Sequence, residues 1–273
     1  MEKTREQLHQ EDLLRIRGFR LLDDDFMTAC FNDNPECMEL VLRIIMGKPD
    51  LTVTNVRVQR TLKNLQGRSL RLDIDAEDSE NRKYNVEVQR ADKGAQPRRA
   101  RYHSGLMDMN VLDAGEDFEN LPELYVIFIT ETDVLGRNMP IYELRRQYSF
   151  ADGEIERSAI FEDGSHILYI NGENHDSTEL GKLMHDFRCT NPDDMNNKIL
   201  ADRARYFKED EEGVAVMCKV IEDMREETRR EATDKAFLLA IKNLMENLKM
   251  SAEEAMNALG IAVADRSKYM SML

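Results

Sequence analysis

The stretch RLDIDAEDSENRKYNVEVQR, residues 71–90, holds Asp73, Asp75, Glu87 and Gln89 in two segments that alternate like β-strands around a polar turn. With the turn centred near residue 80, paired positions sum to about 160 and Asp73 faces Glu87, their Cβ atoms ~4.5–5.5 Å apart. Side chains alternate along a strand, so Asp73 and Asp75 are expected on one face, together with Glu87 and Gln89. Three carboxylates and an amide would then converge. Their repulsion is costly unless a proton or a cation compensates it, and hard oxygen donors of this kind suit Mg²⁺ or Mn²⁺. The competing reading is the solvent face of an antiparallel sheet. Two details weigh against it: Leu72, Ile74, Ala76, Val86 and Val88 make a separate apolar face, and Arg90, Lys93, Arg98, Arg99 and Arg101 follow at once. Carboxylates for a metal beside cations for phosphate are what phosphodiester cleavage requires.

The whole chain carries a net charge of −15, which by itself argues against a nucleic-acid partner. The charge is unevenly spread. Residues 82–101 hold seven Lys or Arg against Glu87 and Asp92, a net of +5 that leaves −20 for the remainder. Cys30, Cys37, Cys189 and Cys218 form no CxxC pair and the five histidines no HExxH, so neither zinc nor a disulfide framework is indicated. A reducing cytoplasm is the expected setting. No apolar leader and no run long enough to span a membrane is visible.

Elements that could position these residues can be read on either side. NPECMELVLRIIMG, 34–47, predicts a helix capped by Asn34, opened by Pro35 and closed by Gly47, with a short helix over 25–31 before it. LTVTNVRVQR, 51–60, predicts a strand ahead of the hairpin. The segment 96–112 has a helical stripe of Tyr102, Leu106, Met109 and Leu112, and ELYVIFIT, 123–130, is a buried strand. Strand-like pieces between 140 and 176 are expected to extend the same sheet. Beyond Asn191 the chain is helical and charged, with Phe237, Ile241, Leu244 and Leu248 at core or coiled-coil spacing, and Ser251 with Glu254 as a capping box.

The order αβββαβ, with Asp73 on the second strand, Glu87-x-Gln89 on the third and a basic helix next, resembles the PD-(D/E)XK nuclease superfamily. More narrowly, RLDIDAEDSENRKYNVEVQRADKG with RARYHSGLMD and LPELYVIFIT resembles the PD-(D/E)XK nuclease family transposases, the recombination-promoting nuclease group of bacteria. The resemblance is strongest over 22–150, including DDDFMTACFNDNPECMELVLRIIMG. It implies an α/β fold with a mixed sheet flanked by helices, a nuclease-like domain over 1–190 and a helical region over 191–273. It also implies metal-dependent hydrolysis of DNA: Asp73 and Glu87 as ligands of Mg²⁺ or Mn²⁺, and Gln89 in the place of the superfamily's lysine. Asp75 falls outside the pattern and is at best auxiliary.

An amide cannot titrate as a general base, which leaves metal-activated water, substrate phosphate or Lys93 for that role. Arg90, Arg98, Arg99 and Arg101 are the expected phosphate contacts. Glu36 and Glu39 on the early helix could reach the site, although a solvated helix face explains them as well. His103 reads as a surface or packing residue without a visible partner. The C-terminal helices carry too few cations for a recognition helix, and core packing or self-association through the 237–248 stripe fits them better. Two other readings stay open: a decayed nuclease fold that binds DNA or protein without cleaving, and a purely structural interaction protein.

Overall fold

A computed structural model describes residues 4–64, 67–90, 94–152 and 155–273, which divide into two compact units, Met1–Met217 and Cys218–Leu273. In the first unit, helices α1 (Arg5–Gly18), α2 (Asp24–Phe31) and α3 (Pro35–Met46) precede strands β1 (Val53–Leu62), β2 (Leu70–Asp78) and β3 (Lys83–Gln89). Helix α4 (Pro97–Asp108) follows, then β4 (Leu124–Thr130), β5 (Ile141–Leu144), β6 (Gln147–Asp152), β7 (Ile155–Ile160) and β8 (Ser165–Asn171). Helices α5 (Glu179–Arg188) and α6 (Lys198–Glu209) complete it, and α7 (Glu211–Leu248) leads on to α8 (Ala252–Ala258) and α9 (Val263–Met270).

The main sheet has the order β1-β2-β3-β4-β8-β5 and is mixed: β1, β2 and β3 are antiparallel, β3, β4 and β8 parallel, and β5 antiparallel to β8. The βαβ crossover from β3 through α4 to β4 covers one face. Ala100, Leu106 and Met107 of α4 meet Leu72, Val126, Phe128, Ile167 and Tyr169 there. Helices α2 and α3 pack on β1 and β2. The α3 boundaries follow from its ends: Asn34 accepts from Cys37 N at 3.2 Å, and Gly47 closes the helix with φ +61°.

Two expectations change. Residues 147–160 do not extend the main sheet; β6 and β7 pair only with each other and leave Tyr148 and Phe150 exposed. The helical region expected from 191 also divides. Asp186 accepts from Asn196 N (2.7 Å) and Asn197 N (2.8 Å) at the start of α6, and Arg203 Nε donates to Cys30 O (3.1 Å), so α6 belongs with the first unit. In the second unit Ile241, Ala255, Met256, Ile261 and Tyr269 form a small core that takes in Phe237 and Leu244, while Leu248 is exposed. Most of the predicted stripe is therefore used inside this unit. No helix among the described residues is long and apolar enough to cross a membrane.

Candidate active site

The hairpin turn sets the register. Asn81 adopts φ +63°, which asparagine tolerates, and pairs run Glu77↔Lys83, Ala76↔Tyr84, Asp75↔Asn85 and Ile74↔Val86 before the ladder stops at Asp73. On the other side β1 pairs Val58↔Ile74 and Arg60↔Leu72, with Gln59 between them at φ +53°. The alternation slips here. Leu72 lies in the α4-side cluster, and Asp75 lines a cleft on that side with Met107 and Asn110, although the two are an odd number of residues apart. Asp73 thus stands where β2 opens from β3.

Side chains fill the opening. Asp73 N donates to Glu87 Oε1 (3.1 Å), while Asp73 Oδ2 accepts from Val88 N (3.0 Å) and Gln89 Nε2 (3.3 Å). Asp73, Glu87 and Gln89 are therefore brought together. Asp75 is not with them: its carboxylate is bound by Arg60 in the cleft that Arg57 and Lys83 also line. Asp75 stays in the ladder opposite Asn85 and is drawn to Arg60, whereas Asp73 lies beyond the ladder's end.

Burial dominates the electrostatics. The Glu87 side chain is fully buried, and desolvation, reinforced by the Asp73 charge, pushes its carboxyl up to about 7. Asp73 is pushed up to about 6, chiefly by burial and further by Asp24, against the hydrogen bond from Val88 and the charges of Arg99 and Arg71. Among the described residues one cation touches the pair directly, Arg99 Nη2 on Glu87 Oε2 at 3.2 Å. The acid from an early helix is Asp24 on α2, not Glu36 or Glu39. Glu36 is exposed, and Glu39 is held by Arg43 (2.7 Å) and Val53 N (3.0 Å). Gln59 Nε2 donates to Asp24 Oδ1 (2.6 Å) and so ties α2 to the irregular stretch of β1.

The arginines divide into three kinds. Arg99 is on Glu87. Arg98 and Arg101 are exposed at the start of α4 without an ion pair among the described residues. Arg90 joins Asp23 (2.7 Å) and Glu131 (3.3 Å), which Arg20 also bridges, so it must leave two carboxylates to meet a phosphate. Lys93 lies outside the described residues. His103 is not a surface residue: it is buried and bonded on both ring nitrogens. Sequence reasoning also passed over Gly94. A Cβ there would stand 1.8 Å from Gln89 Oε1 and 2.8 Å from Gln89 Cδ, so the glycine backbone closes against the amide. The signal was its place five residues after Gln89.

The sequence profile of the PD-(D/E)XK nuclease family transposases matches residues 45–255 of this chain. The chain belongs to that family. Its mixed six-stranded sheet flanked by helices agrees with that family. The chain has no match among curated proteins or solved structures. PD-(D/E)XK nucleases typically use divalent metals. No cage of three or more His, Cys, Asp or Glu side chains is assembled among the described residues. The donor set nevertheless fits a hard cation, because two buried oxygen ligands share a site in which both cannot ionise cheaply without one.

Proposed function

We propose that this protein is a metal-dependent DNA endonuclease of the recombination-promoting type, with Asp73 and Glu87 holding Mg²⁺ or Mn²⁺. One observation carries the reading: two adjoining carboxylates are buried at the opening of the β2–β3 ladder with their pKa values raised, and Arg99 is set directly against Glu87. A buried acid pair of this kind costs stability unless a bound cation repays it, which is the mark of a site kept for function. The divalent ion would supply charge to polarise the phosphoryl oxygen and lower the pKa of an attacking water.

The chain's own residues have narrower tasks. Gln89, held against Gly94 and donating to Asp73, orients a ligand or water and moves no proton, because an amide does not titrate. Arg98 and Arg101 grip flanking phosphates, and Arg99 has one edge of its guanidinium left for the same purpose. His103 is unavailable as a base, since its Nε2 lone pair already accepts from Arg99. Lys93 is the side chain of this segment that could take a proton.

Nicking of supercoiled plasmid in Mg²⁺ or Mn²⁺ tests the reading, with Asp73→Ala and Glu87→Ala compared at matched folding. Loss of metal-dependent nicking in both variants is expected. A wild-type protein that binds DNA and leaves the plasmid intact across metals and salt would favour a decayed nuclease acting as a binding module, with Gln89 in place of lysine as its cause.

A further inference from the structure

Glu87 is held from both ends by one connected set of side chains. With the Asn85 amide nitrogen donating to Glu87 Oε1 (3.0 Å) and Ile74 O (3.2 Å), its oxygen accepts from His103 Nδ1 (2.8 Å). Arg99 Nε donates to His103 Nε2 (3.2 Å) and Arg99 Nη2 to Glu87 Oε2 (3.2 Å). The set closes on itself as Glu87, Asn85, His103, Arg99 and back to Glu87. A guanidinium only donates, so His103 Nε2 must be the acceptor and Nδ1 must carry the proton. Asn85 and His103 are fully buried, and the imidazole meets the Phe128 ring edge-on at 5.9 Å, which fixes its plane.

We propose that Asn85 and His103 are positioning residues. With His103 on Nε, Glu87 on Nη2 and Asn85 setting the imidazole, the Nη1 edge of Arg99 is turned outward, where it takes a DNA backbone phosphate. This rests on the nuclease reading for its ligand, while the ring itself does not. A salt bridge between Arg99 and Glu87 alone would leave the guanidinium free to swing about that contact. The second bond, to His103, removes the freedom, and the planar fork then presents a defined edge. Arg99 is 37% exposed on its side chain, consistent with one edge held inside and one outside.

The test is DNA affinity in Ca²⁺, a substitute ion that permits binding to be measured without Mg²⁺ or Mn²⁺, for Arg99→Gln, His103→Asn, His103→Gln and the double variant R99Q/H103N. Asparagine at 103 can keep the bond to Asn85 but its side chain is too short to put an acceptor where Nε2 meets Arg99; the longer glutamine can restore that acceptor. Expected is a loss of roughly tenfold in R99Q, the size of one charge-assisted contact, and a similar loss in H103N. H103Q should lie closer to wild type, and the double variant should bind no more weakly than R99Q. Additive losses in the double variant, with thermal unfolding showing all four folded, would overturn the proposal.

Imidazole ¹⁵N spectra of the metal-free protein separate this from failure of the nuclease reading. The ring requires His103 protonated on Nδ1, with an Nε2 resonance that moves in R99Q. An Nε2-protonated ring, or one indifferent to R99Q, sinks the ring whatever the DNA data show. A wild type that binds no DNA but shows the expected spectrum instead overturns the nuclease reading, and the phosphate role of Arg99 with it.

Discussion

Asp73 and Asp78 stand five residues apart on β2, both in the same hairpin, and their carboxylates are treated in opposite ways. Asp78 is buried, which alone would raise its pKa, yet Arg82 Nε (2.5 Å), Tyr84 OH (2.8 Å) and the amides of Arg82 and Glu80 hold it below the ordinary range. Asp73 receives one amide and one side-chain amide, sits against a second acid, and is pushed up instead. The difference is completeness. A carboxylate with a full set of donors is stabilised as a charge in its turn, whereas one left short of donors and beside a second acid holds its proton more readily.

The contrast is broken most sharply at Asp78. Its replacement by alanine should destabilise the protein by about 3–5 kcal/mol, because Arg82 and the Tyr84 hydroxyl lose their shared acceptor in a buried place. Thermal unfolding should show this as a fall of roughly 10 °C or more. A variant within about 1 kcal/mol of wild type would mean that Asp78 is as dispensable to folding as a surface residue.

At Asp73 the sign should reverse. The carboxyls of Asp73 and Glu87 have folded pKa values above their ordinary ones, so the folded state binds more protons than the unfolded state between those limits. Their contribution to stability is full below about pH 4 and is lost as pH rises through about 6 to 7. Metal-free protein should therefore lose stability through this pair between pH 5 and pH 8, and Asp73→Asn should flatten that slope and raise stability at pH 8 by ~1–2 kcal/mol, read as a higher melting temperature. Mn²⁺ should raise melting more at pH 8 than at pH 5, since it competes with those protons. An unchanged pH slope in Asp73→Asn would remove Asp73 as its source.

Two smaller effects sharpen the picture of the rim. Gly94→Ala should displace the Gln89 amide and slow nicking about tenfold, with little change in melting, because the clash falls on a side chain and not on backbone. Wild-type rates in that variant would make Gln89 a bystander. Arg90→Gln should weaken DNA binding less than Arg98→Gln or Arg101→Gln, each read as Kd and salt slope, because Arg90 is already engaged by Asp23 and Glu131. The reverse ranking would place the DNA on the Arg90 side.

Much of this hairpin was legible in the sequence because a polar turn fixes register, and register fixes which acid meets which. The meeting of Asp73 with Glu87 follows from that alone. The separation of Asp75 does not, since it depends on the ion pair that Arg60 makes with it from the neighbouring strand. That His103 packs in the interior is within the sequence's reach, but its partners are not. Its partner Asn85 sits two residues before Glu87 on a buried strand, where a polar residue had to be satisfied, and only the packing of α4 supplies the imidazole. The β6–β7 ribbon alternates like any hairpin, and alternation says nothing about which sheet a strand joins. Helix α1 has no clear apolar stripe to mark it, although Thr4 and Gln7 form a full capping box at its start.

Mn²⁺ titration by calorimetry, on wild type, Asp73→Ala and Glu87→Ala, puts the central claim to its most direct test. Binding in the wild type that disappears in both variants, while each still unfolds cooperatively, is the expected result. Binding that persists unchanged in either variant would show that the acid pair does not hold the metal.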